Sequence, residues 1–140
     1  MKSPFPKSIF LGLLVAVAIT ALTSSVACAQ SKPWIAPAVA QAMKNPVAST
    51  PDVLKAAKTL YITNCAPCHG EKGKGDGPAA ASLTPHPADH TSAALRNEPD
   101  GSLFWKLSEG RTPMPQYKKI LTETQRWQLI DYIRSLSKSK

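Results

Sequence analysis

Cysteine is scarce in this 140-residue chain: Cys28, Cys65 and Cys68 are the only three. So few thiols exclude the multi-disulfide framework that staples many small secreted domains. Acidic residues are also few, nine against seventeen lysines and arginines, for a formal net charge of +8. A basic excess alone suits nucleic acid, an anionic membrane surface or an acidic protein partner. No nucleic-acid-binding motif accompanies it, so that partner class is set aside. Aromatic residues are few, 6% of the chain, and the core that so short a chain can bury is marginal by itself. No apolar run reaches the roughly 20 residues of a comfortable membrane span. Internal repeats and credible strands are also missing. The glycine-rich stretch Gly70 to Gly77 lacks the Gly-Lys-Ser or Gly-Lys-Thr ending of a phosphate loop, and no strand precedes it as a dinucleotide fingerprint requires.

The first residues read as a secretory leader rather than as fold. Lys2 and Lys7 form a charged start, Ile9 to Leu22 an apolar run, and Ala27-Cys28-Ala29 a small-residue cleavage pattern. The organisation expected is a signal peptide at 1–29, an N-terminal arm at 30–49 and one domain at 50–140. Two alternatives stay open. The leader is retained as an anchor, or Cys28 is lipid-modified, although Ser25 stands where a lipobox expects leucine. Loss of Lys2 and Lys7 with the leader brings the charge from +8 to +6. Export places the protein in the periplasm or otherwise outside the cytoplasm.

What remains is organised around Cys65-Ala66-Pro67-Cys68-His69. Two thiols three positions apart, followed at once by an imidazole, are the pattern of covalent attachment of one haem c. Cys65 and Cys68 lie one turn apart and can each form a thioether with a haem vinyl group, with His69 as the proximal iron ligand. A structural zinc site would need a second ligand pair. A thioredoxin-like redox pair expects a strand–helix context. Both thiols used by haem leave none for a disulfide, and buried haem would supply apolar surface that the chain lacks.

The rest arranges itself around that stretch. The arm is rich in alanine, with Trp34 as its large apolar side chain, and Ala36 to Lys44 reads as a short helix. Thr50 caps a helix with Pro51 and Asp52 in its first turn and Val53, Ala56, Ala57, Leu60 and Tyr61 on one face. A backbone carbonyl near Pro78 is expected to accept the second ring N–H of His69. Residues 79–97 read as loop with little regular structure beyond one turn at Ala79 to Leu83, with His86 and His90 as exposed loop histidines or, alternatively, distal ligands. Asp100 is expected to cap a helix that Gly110 ends, with Leu103, Phe104 and Leu107 apolar and Trp105 placed against haem or in the core. Between Pro113 and Pro115, Met114 is the candidate sixth iron ligand, since Met1 is the initiator and Met43 precedes the attachment site. Thr122 to Gln125 form a capping box for a last helix with Leu129, Ile130, Ile133 and Leu136 as its stripe. The fold class expected is all-α, three or more helices wrapped around one covalently bound haem.

On Cys65-Ala66-Pro67-Cys68-His69-Gly70, Gly77-Pro78, Gly110, Pro113-Met114-Pro115 and Asp131-Tyr132-Ile133, the stretch Thr50 to Leu136 resembles a class I (mitochondrial-type) monohaem cytochrome c of the bacterial periplasmic kind. The resemblance implies His69 and Met114 as axial ligands and the Pro78 carbonyl as partner of His69. It also implies a crossing of the first and last helices, at Ala57 and Tyr61 against Leu129 and Tyr132. Glycine is usual where Ala57 stands.

The function expected is single-electron relay between redox partners, not enzymatic turnover. Lys72, Lys74, Lys118 and Lys119 are the candidate rim for an acidic partner. A monomer or a complex subunit is expected, with membrane association only through a retained or lipid-modified N-terminus. The alternatives are an open-haem peroxidase or gas-binding protein, which needs Met114 off the iron, and an electron-accepting haem subunit of a membrane or dehydrogenase complex.

Overall fold

Thr50 starts the first long helix as expected: its hydroxyl accepts from the Val53 N–H at 3.3 Å, Pro51 occupies the first turn, and Asp52 sits near the positive helix end. The structure, a computed structural model, describes residues 33–137. The expected leader at 1–29 and Cys28 lie outside the described residues, as do residues 30–32 of the arm and 138–140 of the basic tail. The described residues from Trp34 onward belong to one compact unit.

Six α-helices follow in order: α1 (Ala38–Gln41), α2 (Pro51–Asn64), α3 (Ala66–His69), α4 (Ala93–Arg96), α5 (Asp100–Glu109) and α6 (Glu123–Leu136). Single 3-10 turns lie at Ala80–Ser82 and Tyr117–Lys119. No strand occurs among the described residues, so the fold is all-α. Residues 79–97 hold more regular structure than a plain loop, because Ser92 caps α4 by accepting from the Leu95 N–H at 3.3 Å.

The frame of the domain is the packing of α2 against α6. The capping box opens α6 as expected: Gln125 N donates to the Thr122 hydroxyl at 3.2 Å and Thr122 N to the Gln125 side chain at 2.9 Å. Ala57 and Tyr61 on α2 and Leu129 on α6 are fully buried, so alanine meets the close approach where glycine is usual. Helix α5 completes the core by stacking Phe104 on Trp127, centroids 3.9 Å apart and planes at 10°.

One expectation changes. Asp100 does not cap α5: its carboxylate accepts from Arg134 Nε at 2.7 Å, and Pro99 holds the cap position without a side-chain bond. The reason is competition, since a guanidinium fixed on α6 offers a charge-assisted bond stronger than a neutral N–H cap. Arg134 also donates to the carbonyls of Leu95 and Glu98, joining the α4–α5 corner to α6. The sequence leaves open whether the arm packs over the domain, and residues 36–47 of it do. Ala36 and Ala40 are buried, and Asn45 Nδ2 donates to the Asp131 carboxylate at 3.0 Å and the Trp127 carbonyl at 3.3 Å. Gly101 of α5 permits this, because any Cβ there would collide with the Ala40 carbonyl of α1.

Candidate cofactor site

Helix α2 ends at Cys65, and the chain turns at once into α3. His69 N donates to Cys65 O at 2.8 Å and Cys68 N to the same oxygen at 3.1 Å, so Cys65, Cys68 and His69 share one turn. All three line a cavity of about 320 Å³, together with Met114 and apolar walls from Leu103, Leu107, Ile130 and Ile133. Both cysteines are unpaired. Burial, with Cys68 beside it, pushes the Cys65 thiol up to about 12.

The His69 ring is oriented by a backbone carbonyl, as expected, but by a different one. Its Nδ1 lies 2.9 Å from Ala88 O. A carbonyl can only accept, so Nδ1 carries the proton and Nε2 is the bare nitrogen. Burial lowers the His69 pKa, and the Ala88 bond opposes that shift. Pro78, expected in this role, is exposed and does not line the cavity. Its neighbours explain why. Gly77 N donates to Cys68 O at 3.1 Å and Ala79 N to Pro67 O at 2.9 Å, which holds this stretch on the backbone of α3. Residues 87–90 take the place beside the ring instead.

His86 and His90 part company. His86 is exposed at the cavity rim with its Nδ1 3.1 Å from Pro87 O. His90 is not an exposed loop residue: it is 7% exposed and stacks on His69. Burial, with His69 next to it, pushes its pKa down to about 3. Burying an imidazole is tolerable here because Tyr61 partners its Nδ1 at 3.1 Å.

On the other wall, Met114 is half-buried and lines the cavity. Its loop is a tight turn in which Arg111 N donates to Met114 O at 3.1 Å and Met114 N to Arg111 O at 2.9 Å. Two wall residues escaped the sequence reading. Tyr117, 6% exposed, donates its hydroxyl to Asn64 O at 2.5 Å and so ties the turn after Met114 to the end of α2. Burial, then the two cysteines, push its pKa up to about 12. Trp34 lines the cavity from the arm, its ring 4.9 Å from the Arg111 guanidinium and 5.7 Å from Lys106 Nζ. A lone aromatic in an alanine-rich arm was the available signal for such a role. Trp105 is half-buried and does not line the cavity.

The proposed lysine rim is partly engaged. Lys118 pairs with Glu109 at 2.6 Å, and Lys74 meets Thr91 and lies 3.9 Å from Asp89. Among the described residues, no group of three or more of His, Cys, Asp and Glu is arranged to hold a metal ion by itself.

Two unpaired thiols, an imidazole with a bare Nε2, a thioether and apolar walls form a donor set that fits a covalently attached iron porphyrin. The comparisons agree. A chain of the reducing HAO-like protein complex of Kuenenia stuttgartiensis is similar to 67% of this chain, at 29% identity and a TM-score of 0.59. This chain spans about half of that one, 49% of its length. No curated protein matches the sequence. The family described as Cytochrome c matches residues 54–137. The chain belongs to the cytochrome c family, whose covalently attached haem c is its cofactor.

Proposed function

We propose that this protein is a single-electron carrier in which Cys65 and Cys68 would anchor haem c through thioethers and His69 and Met114 would hold its iron. It relays charge between protein partners outside the cytoplasm and is not itself an enzyme. The observation that carries the reading is that His69, with Nε2 bare, and Met114 line one apolar cavity although 45 positions separate them in sequence. When bound, haem c supplies an iron centre that gains or loses one electron. Ala88 O holds the imidazole in the tautomer that can ligate. The Arg111–Met114 turn fixes where the thioether is presented. Leu103, Leu107, Ile130 and Ile133 keep water from the site. Water exclusion disfavours extra positive charge and, like a thioether ligand, raises the potential. A site filled from both sides leaves no place for substrate.

Export rests on the leader-like residues 1–29. The net charge of +6 left once Lys2 and Lys7 go with the leader favours partners with acidic surfaces. A second reading, an electron-handling subunit of a larger assembly, has one observation in its favour. The similar solved chain comes from a protein complex, and only half of its length is matched. The chemistry at the site would be the same.

The test is the optical spectrum of the purified, exported protein. A weak red sulfur-to-iron band and no shift on adding carbon monoxide are expected. A carbon monoxide-sensitive, high-spin spectrum would sink the relay reading in favour of an open haem.

A further inference from the structure

Nothing in the proposed role uses His90, yet it is among the most enclosed polar side chains of the domain. Its ring lies 4.1 Å from that of His69, the planes 20° apart. Its Nδ1 is 3.1 Å from the hydroxyl of Tyr61, and that hydroxyl donates to Gly70 O at 3.2 Å. A tyrosine hydroxyl has one proton, here given to Gly70, so Nδ1 of His90 is the donor to Tyr61. The backbone of His90 is held too, its N–H donating to Gly73 O at 2.6 Å.

Two residues earlier in the same segment, Ala88 O accepts from His69 Nδ1. One short segment therefore touches the His69 ring twice, at its edge and across its face. A single hydrogen bond leaves an imidazole able to roll about the Nδ1···O direction. A second flat ring against its face removes that freedom. Tyr61 makes the constraint firm, because it is 0% exposed and sits on α2, the helix that delivers Cys65. The bearing of the ring is thus referred back to the element that carries the attachment site.

We propose that His90, anchored by Tyr61, is a positioning residue that sets the rotation of the His69 imidazole about its bond to iron. The inference rests on His69 being an iron ligand. The plane of an axial imidazole governs how unpaired spin spreads over the ferric porphyrin, so rotation has a readout that stability lacks.

The experiment compares proton NMR spectra of the oxidised, fully matured protein and three variants, with thermal melting alongside. His90→Ala removes the stacked ring and is expected to reorder the hyperfine-shifted haem methyl resonances. His90→Phe restores a flat face without the Tyr61 anchor and is expected to bring the order back towards wild type, leaving no more than the shift seen in Tyr61→Phe. Tyr61→Phe removes the anchoring oxygen, together with its bond to Gly70 O, and is expected to move the same resonances in the same direction by less than His90→Ala. Wild-type methyl patterns in both His90→Ala and Tyr61→Phe, with only lowered melting temperatures, would overturn the proposal. If His90→Ala fails to mature, Tyr61→Phe decides alone: moved resonances support the proposal and unmoved ones overturn it. A high-spin wild-type spectrum would instead remove the ligand reading underneath it, an outcome distinct from unmoved resonances in a low-spin protein.

Discussion

The two walls that face each other across the donor set are built by different means. On the histidine side, Cys65, Cys68 and His69 stand on helical backbone, and His69 is further held by Ala88 and by the ring of His90. On the methionine side, Met114 sits in a turn between two exposed prolines, closed by two backbone bonds to Arg111. The Tyr117 hydroxyl, three residues on, ties the segment after it to the end of α2, and the Met114 side chain packs against the core. The first wall is over-determined and the second rests on a few local contacts. Openings of the site should therefore begin at the methionine, because local stability follows the number of buried contacts.

The strongest way to break the comparison is His69→Ala. With the over-determined wall cut, exported protein should lack a low-spin haem spectrum altogether, as read by absorbance per mole of protein. Full, unaltered pigment would mean the two walls are equivalent. Met114→Ala should be milder in kind: haem is retained, but the iron becomes high-spin and binds carbon monoxide. The potential falls by more than roughly 0.1 V, within the range over which axial ligands set it. Redox titration of the variant checks this, and an unchanged potential would dismiss Met114 as ligand.

Gly110→Ala probes the turn without touching a ligand. Gly110 has φ +62, and a Cβ there would run into the Pro115 carbonyl. A cost of about 1–3 kcal/mol is expected from forcing a side chain into this conformation. A weakened sulfur-to-iron band should accompany the lower melting temperature. If the band holds, the turn does not control presentation of the thioether.

The smallest effect is expected for Tyr117→Phe, at about 1 kcal/mol for one lost hydrogen bond. Its pH dependence sharpens the test. Burial raises the Tyr117 pKa from its ordinary 10.0 to about 12, so the folded state favours the protonated phenol. The associated stability is fully present below pH 10 and is lost as pH rises towards 12. Denaturant titrations of the variant should show a shallower alkaline decline than the parent. Parallel curves would place the stabilisation elsewhere.

Local signals were the legible ones. Thr50 and Thr122 announced helix starts, because a cap needs only residues within one turn of it. Cys65, Cys68 and His69 share a turn because their spacing is helical. Met114 was singled out by elimination among three methionines, and it lines the cavity. What escaped depends on contacts between segments distant in the chain. Ala88, not Pro78, meets His69 because residues 77–79 are held on the backbone of α3. His90 looked like any loop histidine, since its burial depends on Tyr61, 29 positions earlier. Asp100 had the right residue type and place for a cap, but Arg134 on α6 claims its carboxylate. Two of the four lysines read as a docking rim have acidic neighbours that only the fold brings close.

Trp34 carries a practical lesson about where such a protein begins. It lines the cavity, yet it precedes the segment 54–137 that matches the family. A fragment trimmed to that segment would keep every proposed iron ligand and lose a piece of the housing. Swapping residues 34–47 between related carriers is therefore a route to retuning the cofactor's surroundings from outside the shared architecture.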